Sequence, residues 1–156
     1  WQWQPTDADS DALAVTDARL ARSGLGNVHR AALLDVLSGR WFGDVARAPL
    51  YDLIFCCNML HIAPWEACAA LMRGAARHLA PTGRLVTYGP YFEEGLPAVQ
   101  SNLDFDRDLR AADPRRGVRQ LSAVQREARA VGLVLQTRYA MPSNNLLLVW
   151  TFSPAP

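Results

Sequence analysis

The chain has 156 residues, half of them hydrophobic, which suits one domain with a sizeable core and argues against disorder. Sixteen basic residues face 15 acidic ones for a formal net charge of +1, so no charge excess favours a nucleic-acid or membrane partner. All the basic residues are arginine, which excludes a lysine Schiff base and a P-loop.

In chain order, "WQWQP" (Trp1 to Pro5) alternates aromatic and polar residues and predicts a short strand, with Asp7 at its C-terminal end. "DADSDALAVTDARLARSGLG" reads as a helix capped by Asp9 or Ser10, acidic at its start, basic at Arg19 and Arg22, and stopped at Gly24. "AALLDV" (Ala31 to Val36) is an apolar strand ending at Asp35, and a loop with Trp41 and Gly43 leads on to Tyr51. "YDLIFCCN" has no polar alternation, the pattern of a strand buried on both faces.

Pro64 opens the next helix, with Trp65, Cys68, Met72, Ala75, Ala76 and Leu79 forming one apolar stripe. "PTG" (Pro81 to Gly83) predicts a turn, and Arg84 to Tyr88 a strand stopped by Gly89 and Pro90. A short helix is expected from Ser101 to Ala112, followed by the polar loop "PRRGVR". Ser122 and Gln125 have capping-box spacing at the head of a helix that ends at Gly132. "LVLQTRYA" and "NNLLLVWTF" are closing strands, and "SPAP" is a loose tail after residue 152. This alternation argues for an open α/β sheet with helices on both faces, whose ligands lie beyond the carboxyl ends of the strands. Asp7, Asp35, Asn58, His61 and Gly89 all fall at that edge.

Cys56, Cys57 and Cys68 make an odd count without a C-x-x-C pair, which predicts reduced, buried thiols in a cytoplasmic protein. His29, His61 and His78 are scattered, so no metal-ligand spacing exists. No apolar run has transmembrane length and no signal peptide is visible. The absent initiator methionine leads to the expectation that the sequence begins inside a longer protein.

"HLAPTGRLVTYGP" resembles the segment entering the fifth strand of class I S-adenosylmethionine-dependent methyltransferases, and "NNLLLVWTF" resembles their antiparallel last hairpin. A closer resemblance is to a small bacterial and eukaryotic methyltransferase-like family, long filed as a domain of unknown function. It rests on "WQPTD", "NMLHIAPW", "GPY", "SN" followed by "FD", "DP" followed by "GVR", and "MPSNNLLLV", from residue 3 to about residue 151. The resemblance implies a Rossmann-like, mostly parallel sheet with an antiparallel C-terminal hairpin, in one domain over residues 1–152. It also implies S-adenosylmethionine as cofactor, a small-molecule substrate and a cytoplasmic enzyme.

By position, the resemblance assigns Asp7 to the ribose hydroxyls, a role suited to a carboxylate that accepts two hydrogen bonds from a vicinal diol. It places Asp35 near the adenine amino group with Val36 beside it, and Asn58 along the methionine and adenine pocket. His61 faces the substrate side and is the candidate base. Tyr88 and Tyr91, flanking "GP", are candidates to orient an acceptor. Asn102 and Phe105, with Asp106, are candidates for a lid; Arg119 is a candidate to hold a substrate carboxylate, and Asn144 to face the same opening.

The structural alternatives are that Asp7 caps a helix, Asp35 and Asn58 serve turns, the tyrosines pack, and His61 is a hydrogen-bonded core residue. Departing from the family, only six residues precede Asp7, which leaves no room for the first strand and its glycine-rich loop. "SGLGN" follows a helix and reads as a turn. The sheet is therefore expected to be split, and to be completed by an upstream segment, a second chain or a swapped element, or else to be reorganised. Two further functions stay open: a fold repurposed for a cyclisation or elimination, and a non-catalytic pseudo-methyltransferase.

Overall fold

The structure, a computed structural model, describes residues 1–42 and 50–154; Gly43 and tail residues 155–156 lie outside the described residues. The chain begins with β1 (Thr6–Asp7), α1 (Ser10–Ser23) and β2 (Ala32–Leu33). It continues through β3 (Tyr51–Cys57), α2 (Met59–Ile62), α3 (Glu66–His78), β4 (Leu79–Gly89) and β5 (Tyr91–Phe92). It closes with α4 (Gln100–Ala112), β6 (Arg119–Gln120), α5 (Leu121–Arg129), β7 (Leu133–Met141) and β8 (Asn145–Phe152). The main sheet has the order β3-β4-β8-β7, while β1-β2 and β5-β6 are separate parallel pairs. β3 and β4 run parallel; β8 is antiparallel to both β4 and β7.

One face of the main sheet carries the core. Leu85 lies opposite Trp150 and Thr87 opposite Leu148, and all four are fully buried. α3 and α5 cover this face with Cys68, Leu71, Met72, Ala75, Val124 and Ala128. Trp41 joins them from the loop after β2: its indole fills the space over Gly74, where a Cβ would collide with the ring. The opposite face presents Phe55, Val86 and Val149 in one row and Cys57, Tyr88 and Leu147 in the next. Phe55 is 51 % exposed there, and none of the other five is fully covered.

The expected helix layer on both faces is thus found on one. This also corrects β3, which was expected to be buried on both faces: none of its seven residues is buried. Cys56 faces the core, while Cys57, expected to be buried, is exposed on the other side. β3 pairs with β4 along one edge, and along the other, among the described residues, it has no strand neighbour. β1 is likewise paired with β2 alone. The seam between them is a cleft of about 460 Å³, with Trp3, Pro5 and Thr6 on one bank and Tyr51, Leu53 and Phe55 on the other. The split sheet anticipated from the short N-terminal segment is the observed arrangement.

Several local readings shift. The first strand is not regular over residues 1–5: Trp3 bridges Val28, Pro5 has no N–H to give, and regular pairing begins at Thr6. The second is cut short because Asp35 accepts from Leu37 N at 2.9 Å and starts a single 3-10 turn, Val36–Ser38. "PTG" is not a separate turn but an irregularity inside β4, where the register to β3 slips between Tyr51 and Leu53. Gly83 is required there, since a Cβ would come within 2.7 Å of Tyr51 O. The capping box is unused: α5 starts after Gln120, and Ser122 Oγ donates to Glu94 at 2.6 Å instead. The short pair β5-β6 and the single-turn helix α2 had no sequence forecast.

Candidate functional site

The carboxyl ends of β1, β2 and β3 open into one cleft of about 510 Å³. Asp7, Asp35 and Val36 line it from one side, and Cys57, Met59 and Ile62 from the other. Asp7 Oδ1 accepts from Asp9 N at 3.0 Å, and Asp35 Oδ1 from Leu37 N at 2.9 Å. Each carboxylate thereby uses one oxygen to set its own turn, and the other oxygen has no protein partner among the described residues. The helix cap itself is Asp9, which accepts from Asp11 N at 2.8 Å. Asp7 thus builds a turn and does not cap the helix, Asp35 builds a turn as well, and each keeps an acceptor oxygen toward the cleft. Leu34, Ile54 and Leu71 supply apolar walls. Two acidic acceptors over an apolar floor fit the hydroxyl and amino donors of an adenosine.

Asn58 ends β3 in the left-handed conformation (φ 56°), and its N–H donates to Tyr88 O at 2.9 Å. Asparagine tolerates this region better than other residues with a side chain. Its amide makes no cap bond, and Asn58 lines a separate hollow rather than the acidic cleft where the cofactor was expected. Asn102, Phe105 and Asn144 line the same hollow, so three of the predicted substrate residues and Asn58 are brought together.

His61 lies on α2, fully buried, with both ring nitrogens lacking a hydrogen-bond partner. Each such nitrogen costs about 1–3 kcal/mol. Burial, and then the charge of Arg119, push its pKa down to about 4, so the ring is neutral at pH 7. Tyr91 meets it edge-on at 5.2 Å between ring centres. The Cα of Gly89 lies against it: a Cβ there would collide with His61 Nε2 and reach Asn58 Oδ1 at 3.0 Å. This imidazole can accept a proton only weakly, because its conjugate acid is strong.

The two tyrosines are placed differently, Tyr91 lining a hollow with Leu96, Val99 and Asn102. Tyr91 donates its hydroxyl to Thr87 Oγ1 at 3.1 Å inside the core, where burial raises its pKa above the ordinary value of 10. Trp150 Nε1 donates to the same oxygen at 3.0 Å, which makes Thr87 a hub that no local pattern announces. Tyr88 lies on the opposite face of β4, half-buried.

Arg119 donates from Nε to Leu60 O at 2.8 Å, and from Nη2 to Ala63 O at 2.7 Å and Arg115 O at 2.9 Å. Its guanidinium stacks 5.6 Å from the Trp65 ring centre. Three of its five donors thus hold backbone carbonyls, and it lines neither the acidic cleft nor the amide hollow. It pins α2, and His61 with it. Asp106 does related work: its Oδ1 accepts from Val118 N at 2.7 Å, and Gly117 N–H donates to His61 O at 2.9 Å.

The model of a family described as a protein of unknown function, DUF938, matches residues 1–152. The chain belongs to the DUF938 family. Its fold is that of class I methyltransferases. An O-methyltransferase family protein from Burkholderia thailandensis superposes with a TM-score of 0.76 at 15% identity, covering 99% of the DUF938 chain and 45% of its own. CalO1, a methyltransferase in calicheamicin biosynthesis solved in its SAH-bound form, gives 0.64 at 19%, with coverage of 82% and 35%. A protein described as a pericyclic reaction enzyme gives 0.75 at 15%, with coverage of 97% and 36%. The DUF938 chain spans less than half the length of these solved chains.

Among the described residues, no three His, Cys, Asp or Glu side chains converge on a point where a metal could be held. No described helix is long and apolar enough to cross a membrane.

Proposed function

We propose that this DUF938 chain takes part in S-adenosylmethionine-dependent methylation of a small molecule, with the adenosine end held along Asp7, Asp35 and Val36. The observation that carries the reading is the convergence of two carboxylates, each with an uncommitted oxygen, at the strand ends of a methyltransferase fold. When bound, the cofactor supplies an electrophilic methyl group. Asp7 accepts from the two ribose hydroxyls, and Asp35 accepts from the adenine amino group. Asn58 lines the amide hollow while its neighbours Cys57 and Met59 line the acidic cleft, so it marks the boundary between cofactor and acceptor. Catalysis is then chiefly placement. His61, neutral and buried, can accept a hydrogen bond from an acceptor hydroxyl but drives little proton removal.

A further strand, from the same polypeptide or from a second chain, fills the seam between β1 and β3 and completes the cofactor side. Support comes from the two unpaired edges that face each other across the cleft.

Calorimetric titration of the full chain with S-adenosylhomocysteine tests the reading. The expected result is micromolar binding that weakens at least about tenfold in Asp7→Ala, since a charged hydrogen-bond acceptor contributes about 1.5–3 kcal/mol. No heat from a folded sample would remove the adenosine site. A second reading, a non-methylating rearrangement on the same fold, is favoured by the neighbour described as a pericyclic reaction enzyme. Product mass separates the two, because methylation adds one methylene and a rearrangement adds nothing.

A further inference from the structure

The hollow beyond Asn58 has a volume of about 410 Å³ and carries no ionisable side chain in its wall. Asn58, Ser101, Asn102, Phe105, Ser143 and Asn144 define it. Backbone strain gathers there. Of the four non-glycine residues with positive φ among the described residues, three line this hollow: Asn58 (56°), Ser143 (60°) and Asn144 (57°). Such conformations are costly and persist where the surroundings enforce them, commonly at ligand sites.

The amide orientations are fixed by their donors. Asn102 Nδ2 donates to Asn144 O at 3.2 Å, and Asn144 Nδ2 donates to Ser101 Oγ at 3.1 Å. With the NH₂ groups tied to the protein, the carbonyl oxygens of both amides are left as acceptors. Asn102 is itself 8 % exposed, so its oxygen is set in a wall rather than in solvent.

A second hollow of about 240 Å³ shares Asn102 and Asn144 and is walled by Leu96, Val99 and Met141. The amide pair therefore stands between two chambers, and the second also carries Glu93, held by Arg138 at 2.6 Å. The buried unpartnered His61 and Asn58 Oδ1 converge on Gly89, next to Pro90 in the wall of the first.

We propose that the paired hollows bind the methyl acceptor, and that the acceptor is a neutral molecule presenting a hydroxyl or N–H donor on an apolar body. This rests on the methyltransferase reading for the ligand's role as acceptor. The donor meets the Asn102 and Asn144 oxygens, and the apolar body enters the Leu96–Val99–Met141 chamber. A carboxylate or phosphate finds amide oxygens and no cation in the wall. The one carboxylate in the two walls, Glu93, is already paired with Arg138 at 2.6 Å, so an ammonium finds no free charge to offset its desolvation.

Three probes of one shape test this on the full chain by ligand-observed NMR: benzyl alcohol, benzoate and benzylammonium. Benzyl alcohol is expected to bind at least about tenfold more tightly than either ion. Asn102→Asp, which keeps the shape and adds a negative charge, is expected to admit benzylammonium. Asn144→Asp serves the same purpose if the buried variant does not fold. Benzoate binding as tightly as the alcohol, or benzylammonium excluded from both variants, overturns the assignment. S-adenosylhomocysteine binding without this discrimination removes the acceptor assignment alone. The discrimination without S-adenosylhomocysteine binding leaves a neutral-ligand site and removes its role as acceptor site.

Discussion

The two ends of the chain are built on different principles. From β3 onward, helices α3 and α5 seal one sheet face around Leu85, Met72, Leu148 and Trp150. The first forty residues form a β1-α1-β2 unit in which α1 has no buried residue and both residues of β1 are exposed. That unit is held by backbone bonds such as Trp3 N to Asn27 O and Leu34 N to Asp7 O, and by Leu34 and Val36 against the core. Hydrogen bonds each contribute about 1 kcal/mol net, whereas burial of one large apolar side chain contributes about 1.5–3. Stability therefore resides in the C-terminal sheet, while the acids of the proposed cofactor cleft ride on the weaker unit. The seam between the two is where, among the described residues, no strand joins β1 to β3.

Trp150→Ala gives the largest break in this comparison. The residue is wholly buried and also donates to Thr87. A loss of about 3–5 kcal/mol is expected in urea unfolding. Val15→Ala on α1, where the side chain is 53 % exposed, is expected to change stability by under about 0.5 kcal/mol. A large cost at Val15 would mean that α1 is covered in solution and that the contrast is false.

Next in size is a pH effect from His61. Its folded pKa of about 4 lies below the ordinary 6.5, so between these values the unfolded chain binds more protons. Stability is then full above about pH 6.5 and falls as the pH drops toward 4, by about 3 kcal/mol in all. His61→Gln should remove most of that slope while leaving the more acidic transitions, such as that of Asp113 near 2, in place. A slope unchanged in the variant would show that the ring is hydrated or charged in the folded state.

Arg119→Met follows, at about 2–3 kcal/mol, because it strands the carbonyls of Leu60 and Ala63. Urea titration gives the magnitude. A positioning role also requires the His61 ring signals to shift in NMR, which a loss of packing elsewhere would not produce.

What the sequence disclosed follows the range of each interaction. The apolar run of β3, the stripe of α3 and the β8 run "NLLLVWTF" are local patterns, and each marks a real element. The place of Asp7, Asp35 and Asn58 at or just beyond strand ends was readable, but not that Asn58 lines a different hollow from the two acids. The Thr87 hub joins residues 63 apart, and Arg119 reaches a carbonyl 59 residues away. No periodicity carries such pairings, so Arg119 looked like a free cation, and the tie of the Tyr91 hydroxyl to Thr87 was not visible. The exposed face of β3 was hidden for a related reason: an apolar run marks a strand suited to cover on both faces, and does not say what provides the cover.

The smallest effect probes the weak unit from inside. Asp9 accepts from Asp11 N at 2.8 Å and caps α1, and its loss to Ala is worth about 1 kcal/mol. In a unit fully coupled to the core, that change would appear as a shift of the global unfolding midpoint. In a unit that opens on its own, it appears as about fivefold faster amide exchange within α1, while β4 and β8 keep their rates. The second pattern is expected, since α1 contributes no buried side chain to the core. Saturating S-adenosylhomocysteine should then slow exchange in α1 of the Asp9→Ala chain, because Asp7 and Asp35 can hold an adenosine only when β1 and β2 are in place. A ligand that binds without slowing that exchange would have to sit elsewhere than on the acidic cleft.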